Sequence, residues 1–139
     1  MRDGFEIIDH TADIAIAAYG ADMKKAFANA ALGMFSIITD VDKVNEEIKR
    51  DVEVTADGLK DLLVSWLNEM LFIFEVENVL FKRFDISELN EAKIVAKCYG
   101  EKIDTRRHTI KIEIKAATYH MTQIEDKPDG VRIQVLFDI

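Results

Sequence analysis

Two stretches of the chain repeat apolar residues at intervals of three and four. From Asp22 to Ile38 these are Met23, Phe27, Ala30, Ala31, Met34, Phe35 and Ile38. From Leu59 to Phe74 they are Leu59, Leu62, Leu63, Trp66, Leu67, Met70, Leu71 and Phe74. Each set forms one stripe along a helix, so the spacing predicts two amphipathic helices laid on a core. Thr39-Asp40 behind the first and Asp57-Gly58 ahead of the second are residue types that bound helices.

Elsewhere the period drops to two. Ile48, Val52 and Val54 alternate with Lys49, Asp51, Glu53 and Thr55, with Arg50 breaking the apolar phase. Ile110, Ile112, Ile114 and Ala116 alternate with Lys111, Glu113 and Lys115, and Val131, Ile133, Val135, Phe137 and Ile139 with Arg132, Gln134, Leu136 and Asp138. Such alternation marks strands with one buried face. Weaker strands fit Phe5–Ile8, Ile14–Tyr19, Val79–Glu88 and Ala92–Tyr99. Glu88-Leu89-Asn90-Glu91 reads as a hairpin turn. Asp126-Lys127-Pro128-Asp129-Gly130 reads as a stronger one, because proline pre-sets the turn and glycine accepts positive φ. The expected fold is therefore α+β: a single domain over residues 1–139, with two helices packed on one face of a largely antiparallel β-sheet.

Composition narrows the function. The 139 residues carry 18 Lys+Arg against 26 Asp+Glu, a formal net charge of −8. That balance opposes binding to phosphate backbones through released counterions, so no direct nucleic-acid binding is expected. Acidity suits a soluble protein, or one that docks on a basic partner. Cys98 is the lone cysteine, which excludes an intrachain disulfide. The start Met1–Glu6 lacks the apolar run of a signal peptide, and Met70–Phe74 is far too short to span a membrane. A cytoplasmic protein with no membrane association is expected; the oligomeric state stays open.

Several chemistries have no motif: there is no phosphate-binding glycine loop, no His-Glu-x-x-His and no nucleophile elbow around Ser36, Ser65 or Ser87. Three polar clusters remain. Asp9-His10-Thr11-Ala12-Asp13 lies between the first two predicted strands, where Asp, Thr and His also serve simply as turn residues. The closing Phe137-Asp138-Ile139 places a terminal carboxylate beside Asp138, either as an exposed strand end or as two anions bridged by a cation. Oxygen ligands of this kind, with Asp13 as a third, suit Ca²⁺, Mg²⁺ or Mn²⁺. The third cluster runs from Arg106-Arg107-His108 to Lys115, Thr118, Tyr119 and His120; by alternation Lys115 stands on the polar side, as a solvated lysine or as a cation for a phosphate. Phe81, Lys82, Arg83 and Phe84 could mimic an aromatic-basic nucleic-acid strand, but at this net charge they read as core packing.

His10-Thr11-Ala12-Asp13-Ile14, Ala30-Ala31-Leu32-Gly33-Met34-Phe35, Leu62-Leu63-Val64-Ser65-Trp66-Leu67-Asn68-Glu69, Arg107-His108, Ile114-Lys115-Ala116-Ala117-Thr118-Tyr119-His120 and Phe137-Asp138-Ile139 follow one another along the chain. In this order they resemble the archease family. Val131-Arg132 departs from the pattern, since an aromatic is common there. The resemblance implies a non-enzymatic accessory protein of the RtcB-type tRNA-splicing RNA ligase, which promotes guanylylation of that ligase and its multiple turnover. It also implies a divalent metal held by Asp13, Asp138 and Ile139, the last through its carboxylate, and a role in ligase activation for Lys115. Two other readings stay open: a broader chaperone or modulator of RNA-processing enzymes, and a metal-dependent hydrolase using His10 or His120 as base.

Overall fold

The computed structural model describes residues 2–9 and 13–139. Along the chain run β1 (Gly4–Asp9), β2 (Asp13–Gly20), α1 (Met23–Ile38), β3 (Ile48–Thr55), α2 (Leu59–Glu77), β4 (Val79–Leu89), β5 (Lys93–Lys102), β6 (Ala116–Lys127) and β7 (Gly130–Asp138). Asp22 caps α1 by accepting the Lys25 N–H at 2.8 Å, and Asn78 ends α2 in the left-handed conformation. The strands form a four-stranded sheet ordered β1-β2-β7-β6 and a three-stranded sheet ordered β3-β5-β4. All the pairings are antiparallel.

The α+β class is the expected one, while the strands divide between two sheets where the alternation suggested one. The helices lie between them. α1 touches β1, β2 and β7 on one side and β4 on the other, and α2 touches β6 on one side and β3, β4 and β5 on the other. The buried arcs show why. α1 buries Ala26, Gly33 and Ile37 beyond its single stripe, and α2 adds Val64 and Ile73. A helix that buries so much of its circumference needs cover on two sides. Phe35 sits at the centre, edge-on to Phe74 and Phe81 at 6.5 and 5.9 Å and stacked on Phe84 at 6.0 Å. Trp66 meets Phe84 and donates its indole N–H to the Phe27 carbonyl at 3.2 Å. Phe81 and Phe84 are thus core residues, whereas Arg83 lies exposed over the Tyr99 ring. Arg50, which interrupts the apolar phase of β3, reaches the Glu77 carboxylate at the end of α2.

One predicted strand differs. Residues 110–115 join no ladder, and β6 begins at Ala116. The alternation there was still physical: Ile110, Ile112 and Ile114 pack inward, and Lys111, Glu113 and Lys115 are exposed. Period two reports one-sided burial of an extended chain, whether or not a neighbour pairs with it. Within β6 the register slips between Thr118 and Gln123, leaving a bulge in which Met121 has φ 57°.

Gly100 permits the close approach of β4 and β5. A Cβ there would fall 1.8 Å from the Leu80 carbonyl oxygen and 2.8 Å from Phe81 Cα, both backbone atoms. Gly100→Ala should therefore cost about 3 kcal/mol through overpacking. A chemical denaturation midpoint matching that of the parent would contradict the close approach.

Candidate functional site

β2 opens at Asp13, β7 closes at Asp138, and the two residues are direct register partners. Their neighbours Ile14 and Phe137, also partners, are buried in the core shared with the helices. Alternation therefore turns both aspartates to the opposite side of the sheet, away from the helices, with Cα atoms about 4.5–5.5 Å apart. Asp13 is half-buried and Asp138 exposed. On the other flank of β7, Ala116 pairs with Asp138, and the Lys115 N–H donates to the Asp138 carbonyl at 2.8 Å. Asp138 thus stands between Asp13 and Lys115, whose side chain is exposed, and Ile139 follows as an exposed residue.

Four candidates separated by up to 126 positions in sequence, Asp13, Lys115, Asp138 and Ile139, share one end of the sheet. Two carboxylates facing each other across a ladder repel, and a nearby cation relieves that repulsion. The donor chemistry, two aspartate carboxylates and the terminal carboxylate of Ile139, suits a hard divalent ion better than zinc or copper. Among the described residues, no three His, Cys, Asp or Glu side chains are grouped so as to hold a metal ion. His10, Thr11 and Ala12 lie outside the described residues.

Asn68 plays a part that the sequence patterns did not reveal. From α2 its side-chain amide accepts the Ala117 N–H at 2.8 Å and donates to the Ala117 carbonyl at 3.1 Å. It occupies the outer edge of β6 as a neighbouring strand would, one residue from the Ala116–Asp138 pair. The available signal was a polar amide beside the apolar stripe of the second helix, next to Leu67.

The Arg106-Arg107-His108 cluster does not join this end. His108 and Glu101 are buried together, with Nε2 3.1 Å from the Glu101 carboxylate and 3.2 Å from the Lys43 carbonyl. The Asp104 N–H donates to His108 Nδ1 at 2.9 Å, which leaves the ring proton on Nε2. Glu101 also accepts the Asn45 N–H at 2.6 Å and pairs with Arg107. This network ties the loop after β5 to the segment before β3. Tyr119 and His120 project from the β6 bulge as exposed residues, and the Tyr119 hydroxyl donates to Asp61 on α2. Cys98 is no candidate nucleophile, because burial pushes its thiol up to about 12. No described helix is long and apolar enough to cross a membrane.

Two helices enclosed between antiparallel sheets, with facing carboxylates and a lysine at one sheet end, define a small α+β protein whose polar chemistry is gathered at a strand terminus. The profile of the Archease protein family matches residues 5–139. The chain is 42% identical over 139 residues to protein archease of Methanosarcina mazei, covering 97% of this chain and 95% of that one. It is 42% identical over 129 residues to protein archease of Pyrococcus abyssi, covering 91% of each. The solution structure of Methanobacterium thermoautotrophicum protein 1598 superposes with a TM-score of 0.83 at 37% identity, over 98% of this chain and 99% of that one. A Thermotoga maritima crystal structure, described as an archease and possible chaperone, shares the fold with a TM-score of 0.57 at 22% identity, over 100% and 98% of the two chains. The chain belongs to the archease family.

Proposed function

We propose that this chain is an accessory activator of an RtcB-type tRNA-splicing RNA ligase. In this reading it acts in the cytoplasm, promotes guanylylation and multiple turnover of the ligase, and is not itself an enzyme. Asp13, Asp138 and the carboxylate of Ile139 hold a divalent ion (Ca²⁺, Mg²⁺ or Mn²⁺), and Lys115 stands beside them. The observation that carries this reading is the convergence of Asp13, Asp138 and the Lys115 backbone at one sheet end. Guanylylation is largely positioning and charge neutralisation at a triphosphate. A bound divalent ion supplies charge for phosphate oxygens. Lys115 supplies an ammonium that can reach a phosphate, while its backbone bond to Asp138 fixes where that side chain starts. The register of β7 sets Asp138 opposite Asp13, on the side of the sheet away from the core.

The description of the Thermotoga protein as a possible chaperone favours a second reading, in which the clients are broader than one ligase. The test mixes the purified chain with a candidate ligase present in excess and follows ligase guanylylation over several turnovers. Stimulation is expected. Protection of unrelated enzymes without any effect on the ligase would replace this reading with the chaperone one. Phosphoester turnover by the chain alone would replace it with a metal-dependent hydrolase. Adding one residue after Ile139 moves the terminal carboxylate and keeps every side chain, so divalent-ion affinity should fall in that variant. Unchanged affinity would remove Ile139 from the ligand set.

A further inference from the structure

Large apolar side chains that remain exposed are unevenly placed. Among the described residues they are Ile7, Phe72, Val76, Tyr119, Met121 and Ile139, and all but Ile7 belong to α2 or β6 or directly follow β7. Phe72 and Val76 are 58% and 61% exposed.

The hydrogen bonds between α2 and β6 locate Phe72 against the polar end of the sheet. Asp61 accepts from Tyr119, and Asn68 bonds Ala117, so the helix runs antiparallel to the strand. Phe72 lies one turn beyond Asn68, about 6 Å along the axis. Lys115 lies two residues before Ala117, about 6–7 Å along the chain in the same direction. Phe72 is therefore level with Lys115, and Val76 continues the same helix face one turn further. Glu69 and Glu75 flank Phe72 three residues to either side.

We infer that the α2 face carrying Phe72 and Val76, beside the start of β6, is the surface on which a basic protein partner seats, with an apolar pocket for Phe72 ringed by Lys or Arg. The flanking carboxylates and the net charge of −8 supply the complementarity. A second copy of the chain would bring Glu69 and Glu75 against their own counterparts, and a nucleic acid would bring phosphates against them. Exposed aromatic anchors within a polar rim are the side chains that dominate binding energy at such interfaces. The occupant rests on the functional reading above: it is the ligase, seated level with Lys115 at the same end of the sheet as Asp13 and Asp138.

The test compares Phe72→Ala/Val76→Ala with Ile7→Ala, an exposed apolar control on the far edge strand, for binding to the purified ligase. The double variant should bind at least about tenfold more weakly, with an unchanged melting temperature and divalent-ion affinity. Ile7→Ala should bind as the parent does. Charge reversal at Glu69 and Glu75 should slow association and flatten its salt dependence. Equal ligase binding by the parent and the double variant would overturn the surface and leave the accessory reading standing. Absence of ligase binding by the parent would overturn that reading, and the occupant with it. Concentration-dependent dimerisation that the double variant abolishes would make the face a self-association site, overturning the partner assignment.

Discussion

Asp138→Asn is expected to fold like the parent, to bind divalent ions about 100-fold or more weakly, and to lose stimulation of ligase guanylylation. The structural contacts at this position are made by the backbone: the Lys115 N–H bonds its carbonyl, and Ala116 and Asp13 are its register partners. The amide keeps the shape of the side chain and removes one of two facing negative charges. Thermal stability without added metal should hold or rise slightly, because like charges directly opposite each other on a sheet are destabilising. Titration calorimetry with Ca²⁺ and Mn²⁺, alongside the multiple-turnover ligase assay, reads both effects. Lys115→Ala separates the two roles: it should retain ion binding and lose stimulation. A folded Asp138→Asn protein that stimulates fully would leave the facing carboxylates without a function in activation.

The second large effect concerns stability. Glu101→Ala should destabilise the fold by about 3–5 kcal/mol, the usual cost of breaking a buried charged network by removing one member. His108 Nε2, the Asn45 N–H and Arg107 would lose their shared acceptor. Burial pushes the Glu101 carboxyl up, but the Asn45 N–H, Arg107 and His108 outweigh it and hold the group below its ordinary value of 4.5. A carboxyl lowered on folding contributes stability that is fully present above its unfolded value and is lost as the pH falls through the folded one. Acid unfolding should therefore steepen below pH 4.5, and Glu101→Gln should weaken that dependence in a denaturant series across acidic buffers. An unaltered pH profile in the Gln variant would show that other carboxylates set the acid limit.

Much of the architecture is written in local periodicity. The step of three and four placed the first helix at Asp22–Ile38 and the second from Leu59, against observed bounds of Met23–Ile38 and Leu59–Glu77. The alternation from Val131 located β7, and Pro128 ahead of Gly130 located its turn, where the glycine takes φ 140°. What period cannot convey is partnership. Nothing in the alternation of Ile110, Ile112 and Ile114 distinguishes an extended edge from a paired strand, and nothing local divides seven strands between two sheets. The bulge at Tyr119–Thr122 hid β6 for a related reason: a register slip breaks the alternation by which strands are recognised. Asp13 and Asp138 stand 125 positions apart in sequence; their ligand chemistry offered them as a pair and the family resemblance matched them, while the register of β2 with β7 lies beyond any local pattern. Arg107 and His108 show the converse. Their residue types invited a functional role, yet Glu101, six and seven positions earlier, engages both, burying His108 beside it and pairing with an exposed Arg107.

The double hydrogen bond from Asn68 to Ala117 also bears on how these molecules avoid sticking to one another. β1 and β6 bound the four-stranded sheet, and a foreign strand can add to such a border only where main-chain groups are vacant. At Ala117 an intruder would first have to evict the asparagine amide before forming its own first rung. Asn68→Leu should therefore make the protein more prone to fibrillar assembly through β6 even where its melting temperature is little changed.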